Sequence, residues 1–189
     1  MGLREIITGR RRIAEPAEDR LFALTTAAVT LETSLRTTST GAAAIVVQPL
    51  STADFGQTLA ETQQLVAATA ADSGASIETR DDSYGFRWLI VRGSDIDTLV
   101  VAIHGISDSL LAAGYGERLL CAVFAFADAD GRGIDWIYNF KRGSFYPFVP
   151  RGEGDRDSER EQIVSAQIGA ELPIEPELER WFPLWGIPI

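Results

Sequence analysis

The residue types that most often carry chemistry are scarce in this chain, which has one histidine, His104, and one cysteine, Cys121, in 189 residues. Those counts exclude an intrachain disulfide and a cysteine-based zinc site, and they remove most metalloenzyme and Ser-His-Asp arrangements. His104 stands in "LVVAIHGIS" with Asp108 one helical turn later, a pair that could act as an acid/base dyad. No Ser, Cys or second ligand stands at a recognisable spacing from it, so a structural histidine is the reading. "DADGRGID" sets Asp128, Asp130 and Asp135 among glycines and suggests a calcium cage. Arg132 fills the fifth position, where the EF-hand pattern needs an oxygen ligand, and the late Glu is absent. A hairpin turn is therefore expected. Cys121 lies in an apolar strand pattern with only Arg118 near it, so nothing lowers its pKa and it packs. The glycines of "GYGERLL" precede a strand pattern, and a phosphate loop needs a helix there. Asp81, Asp82 or Asp135 with Arg87 are the makings of a carboxylate-and-arginine enzyme, although nothing in their spacing is specific. The chain thus offers no catalytic constellation and leads to no expected cofactor or metal.

A second kind of chemistry, recognition by rings and cations, has a stronger signal. "DWIYNFKRGSFYPFVPRG", residues 135–152, gathers Trp136, Tyr138, Phe140, Phe145, Tyr146 and Phe148 around Lys141, Arg142 and Arg151. In a strand Trp136, Tyr138 and Phe140 point to one face. Phe86 and Trp88 share a parity too, so two neighbouring hairpins could present four or five rings on one surface. On a helix-covered face those rings are core. On an open face they form an aromatic patch rimmed by cations, the composition of a protein-binding hot spot. Stacked rings with cations also bind single-stranded nucleic acid. A net charge of −10 opposes that reading.

The elements that must position these residues follow from pattern. "EDRLFAL" reads as a short helical lead-in. "AAVTLETSLR" and "GAAAIVVQPL" read as strands of a hairpin around the turn "TTSTG". "STADFGQTLAETQQLVAATAADSG" predicts a helix capped by Ser51 or Thr52, with Phe55, Leu59, Leu65 and Val66 on its buried stripe and Gly74 as its stop. "SIETRDD" and "FRWLIVRGS" flank the turn Ser83–Gly85, and "DIDTLVVAIHGISDSLLAAGYG" is again a helix. The repeated order suggests an internal ββα repeat. "RLLCAVFAFADA" and "GIDWIYNFKRG" pair through an Asp-Gly turn. A closing helix, "SEREQIVSAQIGAEL", carries Ser158 and Glu161 as a capping box.

The expected fold is α+β in the order ββα-ββα-ββ-α, an antiparallel sheet with helices packed on one face and the other face solvated or covered by a partner. Residues 1–18 form a basic N-terminal segment. Residues 19–189 form a single α+β domain with a polar loop at about 151–158 and an aromatic tail at 173–189. In the tail Trp181 and Trp185 are costly to leave wet and must dock on the domain or on a partner. In the basic segment Leu3, Ile6 and Ile7 share a face, which allows weak contact with a membrane surface.

Apolar residues make up 46% of the chain and charged residues 23%, which suits a globular protein and argues against wholesale disorder. The acidic balance makes nucleic acid an unfavourable partner. With no apolar run near the roughly 20 residues of a membrane span and no signal-peptide pattern, a cytoplasmic protein is expected.

"DSYGFRWLIV", "LLCAVFAFADADGRGIDWIYNFKRGSFYPFVPRG", "ELPIEPELERWFPLWGIPI" and "LFALTTAAVTLETSL" together resemble PspAB, the PspA-associated protein family of bacteria and archaea. That resemblance implies a small non-enzymatic accessory protein of a phage-shock-type membrane-stress response. Its central component, PspA, is a coiled-coil protein that supports the inner membrane. The resemblance transfers no catalytic residue. The strand and helix order from Ser76 onward is also similar to secretion-chaperone and YbjN-like proteins, a likeness of topology alone. The expected function is therefore an adaptor binding a protein partner, PspA or a component of its operon, through Trp136, Tyr138, Phe140, Lys141, Arg142, Phe145 and Tyr146, with Trp181 and Trp185 in support.

Overall fold

The computed structural model describes residues 18–71 and 74–189. The first seventeen residues, which hold the basic segment expected to touch a membrane surface, lie outside the described residues.

The chain enters through a helical turn, Glu18–Phe22, into helix α1, Ala23–Thr33, where the sequence pattern predicts a strand. Its Thr and Val content favours strands, but Leu21, Leu24, Ala27 and Leu31 recur at intervals of three and four and are all fully buried. Helical periodicity wins because the threonines are accommodated. The Thr33 hydroxyl donates to the Val29 carbonyl at 2.8 Å and that of Thr25 to the Phe22 carbonyl at 2.9 Å.

Strand β1, Thr37–Val47, takes in the expected turn "TTSTG" and runs through it. The extra length is absorbed by a bulge between Ser39 and Ala43, where Gly41 has φ 79°. A Cβ at Gly41 would stand 2.7 Å from the Gly93 carbonyl oxygen, so only glycine fits. The first ββα unit is thus αβα, and the internal repeat does not exist.

Helix α2, Ala53–Ala71, is followed by the hairpin β2, Ser76–Asp81, and β3, Arg87–Arg92, and then by helix α3, Ile96–Ala112, all as the pattern predicts. Leu65 does not join the α2 stripe: it is exposed, and Thr62 is buried between Leu59 and Val66 in its place. Next come β4, Leu119–Asp128, β5, Gly133–Asn139, and β6, Ser144–Phe148. The expected polar loop carries a small ribbon, β7, Pro150–Gly152, with β8, Asp155–Arg156. Helix α4, Ser158–Ile168, is capped one residue earlier than expected, by the Asp157 carboxylate accepting from the Arg160 amide at 3.0 Å. Glu161 leaves the capping box to become a buried anchor, described below.

Six strands form one antiparallel sheet in the order β2-β3-β1-β4-β5-β6. All four helices contribute to the core on one face, which holds Ala43, Ile45 and Val47 of β1 together with Leu99 and Ile103 of α3 and Val164 of α4. Ala44 and Val46 point the other way and are also buried. Burial on both sides explains why β1 reads as an unbroken apolar run, "AAAIVV".

The second face is neither open nor solvated. After α4 the chain pairs with the free edge of β6, where the Phe145 amide donates to the Pro173 carbonyl and the Glu175 amide to the Phe145 carbonyl, both at 2.8 Å. The edge of the sheet is thereby closed. The tail then turns through Leu178–Arg180 and crosses the second face, where Trp181, Leu184, Trp185 and Ile187 pack on Val46, Ile137, Tyr146 and Phe148. Among the described residues, no helix is long and apolar enough to cross a membrane.

Candidate functional site

Strand parity decides the fate of the aromatic stretch. Trp136, Tyr138, Phe140 and Phe145 belong to the helix-covered core, each at most 1% exposed. Tyr138 lies 5.4 Å from Phe140 and 4.7 Å from Phe145 between ring centroids. Rings already desolvated by their own helices have no contact area to give a partner, so these four do not form the expected surface. Tyr146 faces the other way, stacks with Trp181 at 6.3 Å and donates its hydroxyl to the Phe182 carbonyl at 3.1 Å. Burial pushes its phenol well above the usual range. Trp88 also lies on the tail-covered face, but β1 and β4 separate β3 from β5, so the anticipated joint surface of two hairpins is not assembled.

The cations point outward and are largely committed. Arg142 is paired with Glu175, which also accepts from the Ser144 hydroxyl at 3.1 Å and the Glu177 amide at 3.2 Å. Burial works against the charge of Glu175, yet these donors hold its carboxyl below the usual range. Arg151 lies 3.6 Å from Asp155. Lys141 is exposed at the β5–β6 turn.

The remaining candidates are structural. His104 meets the Phe22 ring edge-on at 5.0 Å. In "DADGRGID", Asp128 accepts from the Asp130 and Arg132 amides and from the side chains of Arg132, at 3.0 Å, and Arg160, at 2.8 Å. Guanidinium groups thus surround the carboxylate that a calcium ion would need. Among the described residues no group of three His, Cys, Asp or Glu side chains could hold a metal. Cys121 is buried, and burial pushes its thiol up to about 12.

What does gather is a cleft of about 710 Å³, bounded by the β2–β3 turn, the β7–β8 ribbon and the tail. The tail contributes Leu184, Trp185 and Ile187, and Phe148 lines the cleft from β6. Trp185 stands edge-on to Phe148 at 5.1 Å. The turn contributes Tyr84 with two carboxylates, Asp81 and Asp82, both already engaged. Asp81 holds Arg87 in a two-point pair at 2.6 and 2.8 Å, which keeps its pKa low. Burial opposes the charge of Asp82, but the Trp88 indole and the Phe86 and Tyr84 amides, at 2.8–2.9 Å, hold it low as well.

Asp135 is different. It is the third residue of β5, paired between Ala125 and Phe148, shares strand parity with Ile137 on the tail-covered face, and lines the cleft. No hydrogen bond or ion pair satisfies its carboxylate among the described residues, and burial pushes its pKa up to about 7. The carboxylates grouped loosely from the sequence do therefore share one cleft, but Arg87 belongs to Asp81 alone. Among the described residues, no hydrogen bond or ion pair links Asp135 to a second titratable group that could serve as an acid/base partner. Sequence reasoning named Trp185 and Asp135 and missed Tyr84 and Leu184, because only the path of the tail brings them together.

The family model PspAB, PspA associated protein B, matches residues 1–189. No curated protein and no solved structure matches the chain.

Proposed function

We propose, from the premise that this chain belongs to the PspA associated protein B family, that it is a non-catalytic accessory protein of a PspA-type membrane-stress response and works by binding PspA in the cytoplasm. The match across the whole chain carries this reading, since every structural element described above falls within the family's span.

The association surface is the tail side of the sheet, centred on the cleft. Of the rings expected to bind, Trp185 alone keeps exposed surface there. Tyr84, 71% exposed, lines the cleft, and Phe182, 59% exposed, is on the tail outside the cleft lining, where its carbonyl accepts from the Tyr146 hydroxyl. Large rings held by a fixed backbone lose little entropy on binding and make good anchors. The cations expected to steer toward acidic helix stretches have a smaller part, because Arg142 is held by Glu175. A chain of net charge −10 instead favours a basic face on the partner.

Titration of the purified protein with PspA from the same organism, followed by calorimetry, tests the reading. Tyr84→Ala combined with Phe182→Ala is expected to weaken binding about tenfold or more while the circular dichroism spectrum is unchanged. Wild-type protein that fails to bind PspA at all sinks the association, and equal binding by the double variant moves the surface elsewhere.

A further inference from the structure

We infer that the cleft beside Asp135 is a binding site for a cation carried on an apolar stem, a lysine or arginine side chain or a free alkylamine or alkylguanidine, with Asp135 as its counter-ion. The walls supply the first half of the requirement. Phe148, Leu184, Trp185 and Ile187 form an apolar and aromatic lining able to take the methylene stem and, at the ring faces, the charge itself.

Asp135 supplies the second half. Asp135 is only partly buried and its carboxylate accepts no hydrogen bond from its own chain among the described residues, so a ligand that displaces water from the cleft must bring a donor or a positive charge to it. Its neighbours do not offer one. Arg80, the only cation lining the cleft among the described residues, is held by Glu78 at 3.2 Å, and Arg87 is held by Asp81 at 2.6 Å. The other charged or titratable side chains on the walls are Asp81, Asp82, Tyr84 and Glu153, so the local field attracts a cation and repels an anion. Asp81 and Asp82 have their oxygens occupied. Asp135 alone is left to make the short contact.

The inference depends on the PspA reading only for the source of the cation. If PspA supplies it, a basic side chain of PspA enters the cleft when the two proteins join. A free ligand would enter without PspA.

Agmatine, a guanidinium and an ammonium on a four-carbon stem, serves as the probe, with isothermal titration and tryptophan fluorescence as readouts. The expected result is saturable binding that quenches or shifts tryptophan emission through Trp185, weakens at least tenfold in Asp135→Asn, and strengthens as pH rises from 6 to 8 while the carboxyl ionises. Asp135→Asn keeps the size of the side chain, and Asp135→Glu, which keeps the charge, should retain part of the binding.

A second arm titrates PspA into the same variants. Loss of PspA affinity in Asp135→Asn, together with competition by agmatine, supports the inference with PspA as the source. Agmatine binding that depends on Asp135 while PspA does not bind supports it with a free amine or guanidine as the source, and sinks the association reading alone. Agmatine that fails to bind, or binds equally to Asp135→Asn, overturns the inference. PspA binding that persists in that case leaves the association reading standing.

Discussion

The two faces of the sheet are both dry but are held in different ways. On one, four helices bury whole stripes against Phe124, Phe126, Trp136 and Tyr138, all at most 2% exposed. On the other, an irregular, proline-broken tail is fixed at a few polar points. The Trp181 indole donates to the Glu175 carbonyl at 3.0 Å, the Arg156 guanidinium donates to the Trp181 carbonyl at 2.7 Å, and Arg156 in turn pairs with the buried Glu161 at 2.6 Å. A cover made by periodic burial leaves an open pocket at the sheet's edge, between Ala60, Gln63 and Ala67 of α2 and Ile77 and Thr79 of β2. A cover pinned at points leaves gaps between the pins, and the cleft is such a gap. The face that looks poorer as a core is therefore the one suited to receive something from outside.

The largest effect should come from the helix-covered face. Trp136→Ala removes a fully buried indole and is expected to cost about 3–5 kcal/mol, read as a lower urea midpoint with an unchanged m-value. Trp136→Phe should recover much of that, because the indole N–H has no acceptor among the described residues and its removal also removes an unmade hydrogen bond. If the alanine variant is as stable as wild type and loses only PspA binding, the ring is on a surface and the division between the faces is wrong.

On the tail face one pin should matter nearly as much as one ring. Glu161 accepts from the Val149 amide at 2.8 Å and from Arg156, so Glu161→Ala leaves the Val149 amide without an acceptor and the Arg156 guanidinium with only the Trp181 carbonyl and no counter-charge. The expected cost is about 3 kcal/mol, since breaking one side of a buried pair strands the other. The loss should be local: amide exchange should accelerate in residues 173–189 and across the β7–β8 ribbon before it does in β1 or β4. Uniform acceleration would mean that the tail and the helix-covered core open as one unit, and the distinction would dissolve.

How much of this was legible follows the same division. The hairpins β2–β3 and β4–β5 could be read because turn residues such as Asp82, Gly85, Asp130 and Gly131 punctuate them. Helix α1 was missed because Thr and Val carried the local signal while Leu24, Ala27 and Leu31 carried the tertiary one. Parity showed that Trp136, Tyr138 and Phe140 act together, but it could not say on which face, because Ile137, Tyr146 and Phe148 make the opposite face equally apolar. The tail has no period to read. Its route depends on long-range pairs such as Phe145 with Pro173 and Arg156 with Trp181, so the cleft and the isolation of Asp135 were out of reach.

The smallest effect is the most diagnostic, because its sign opposes the others. Asp135 has a folded pKa of about 7 against an ordinary 3.8, so between those values the folded protein holds a proton that the unfolded chain has released. Stability must then fall as pH rises through that window, by up to about 1.4 kcal/mol per pH unit, and stay level above it. Asp135→Asn abolishes the ionisation and should be more stable than wild type by about 2 kcal/mol at pH 8, a figure reduced for the solvent that reaches a half-buried group. At pH 4 the gap should shrink to about 0.5 kcal/mol, since the folded carboxyl is then neutral and the unfolded one has only just passed its midpoint of 3.8. Urea denaturation of both proteins at pH 4, 6 and 8 measures the difference directly, and every other carboxylate cancels in it. A gap that grows with pH identifies a carboxyl kept in the apolar cleft at the expense of stability, as a group retained for a ligand would be. A gap independent of pH, or wild type the more stable at pH 8, would mean that Asp135 is already satisfied and the cleft has no use for a cation.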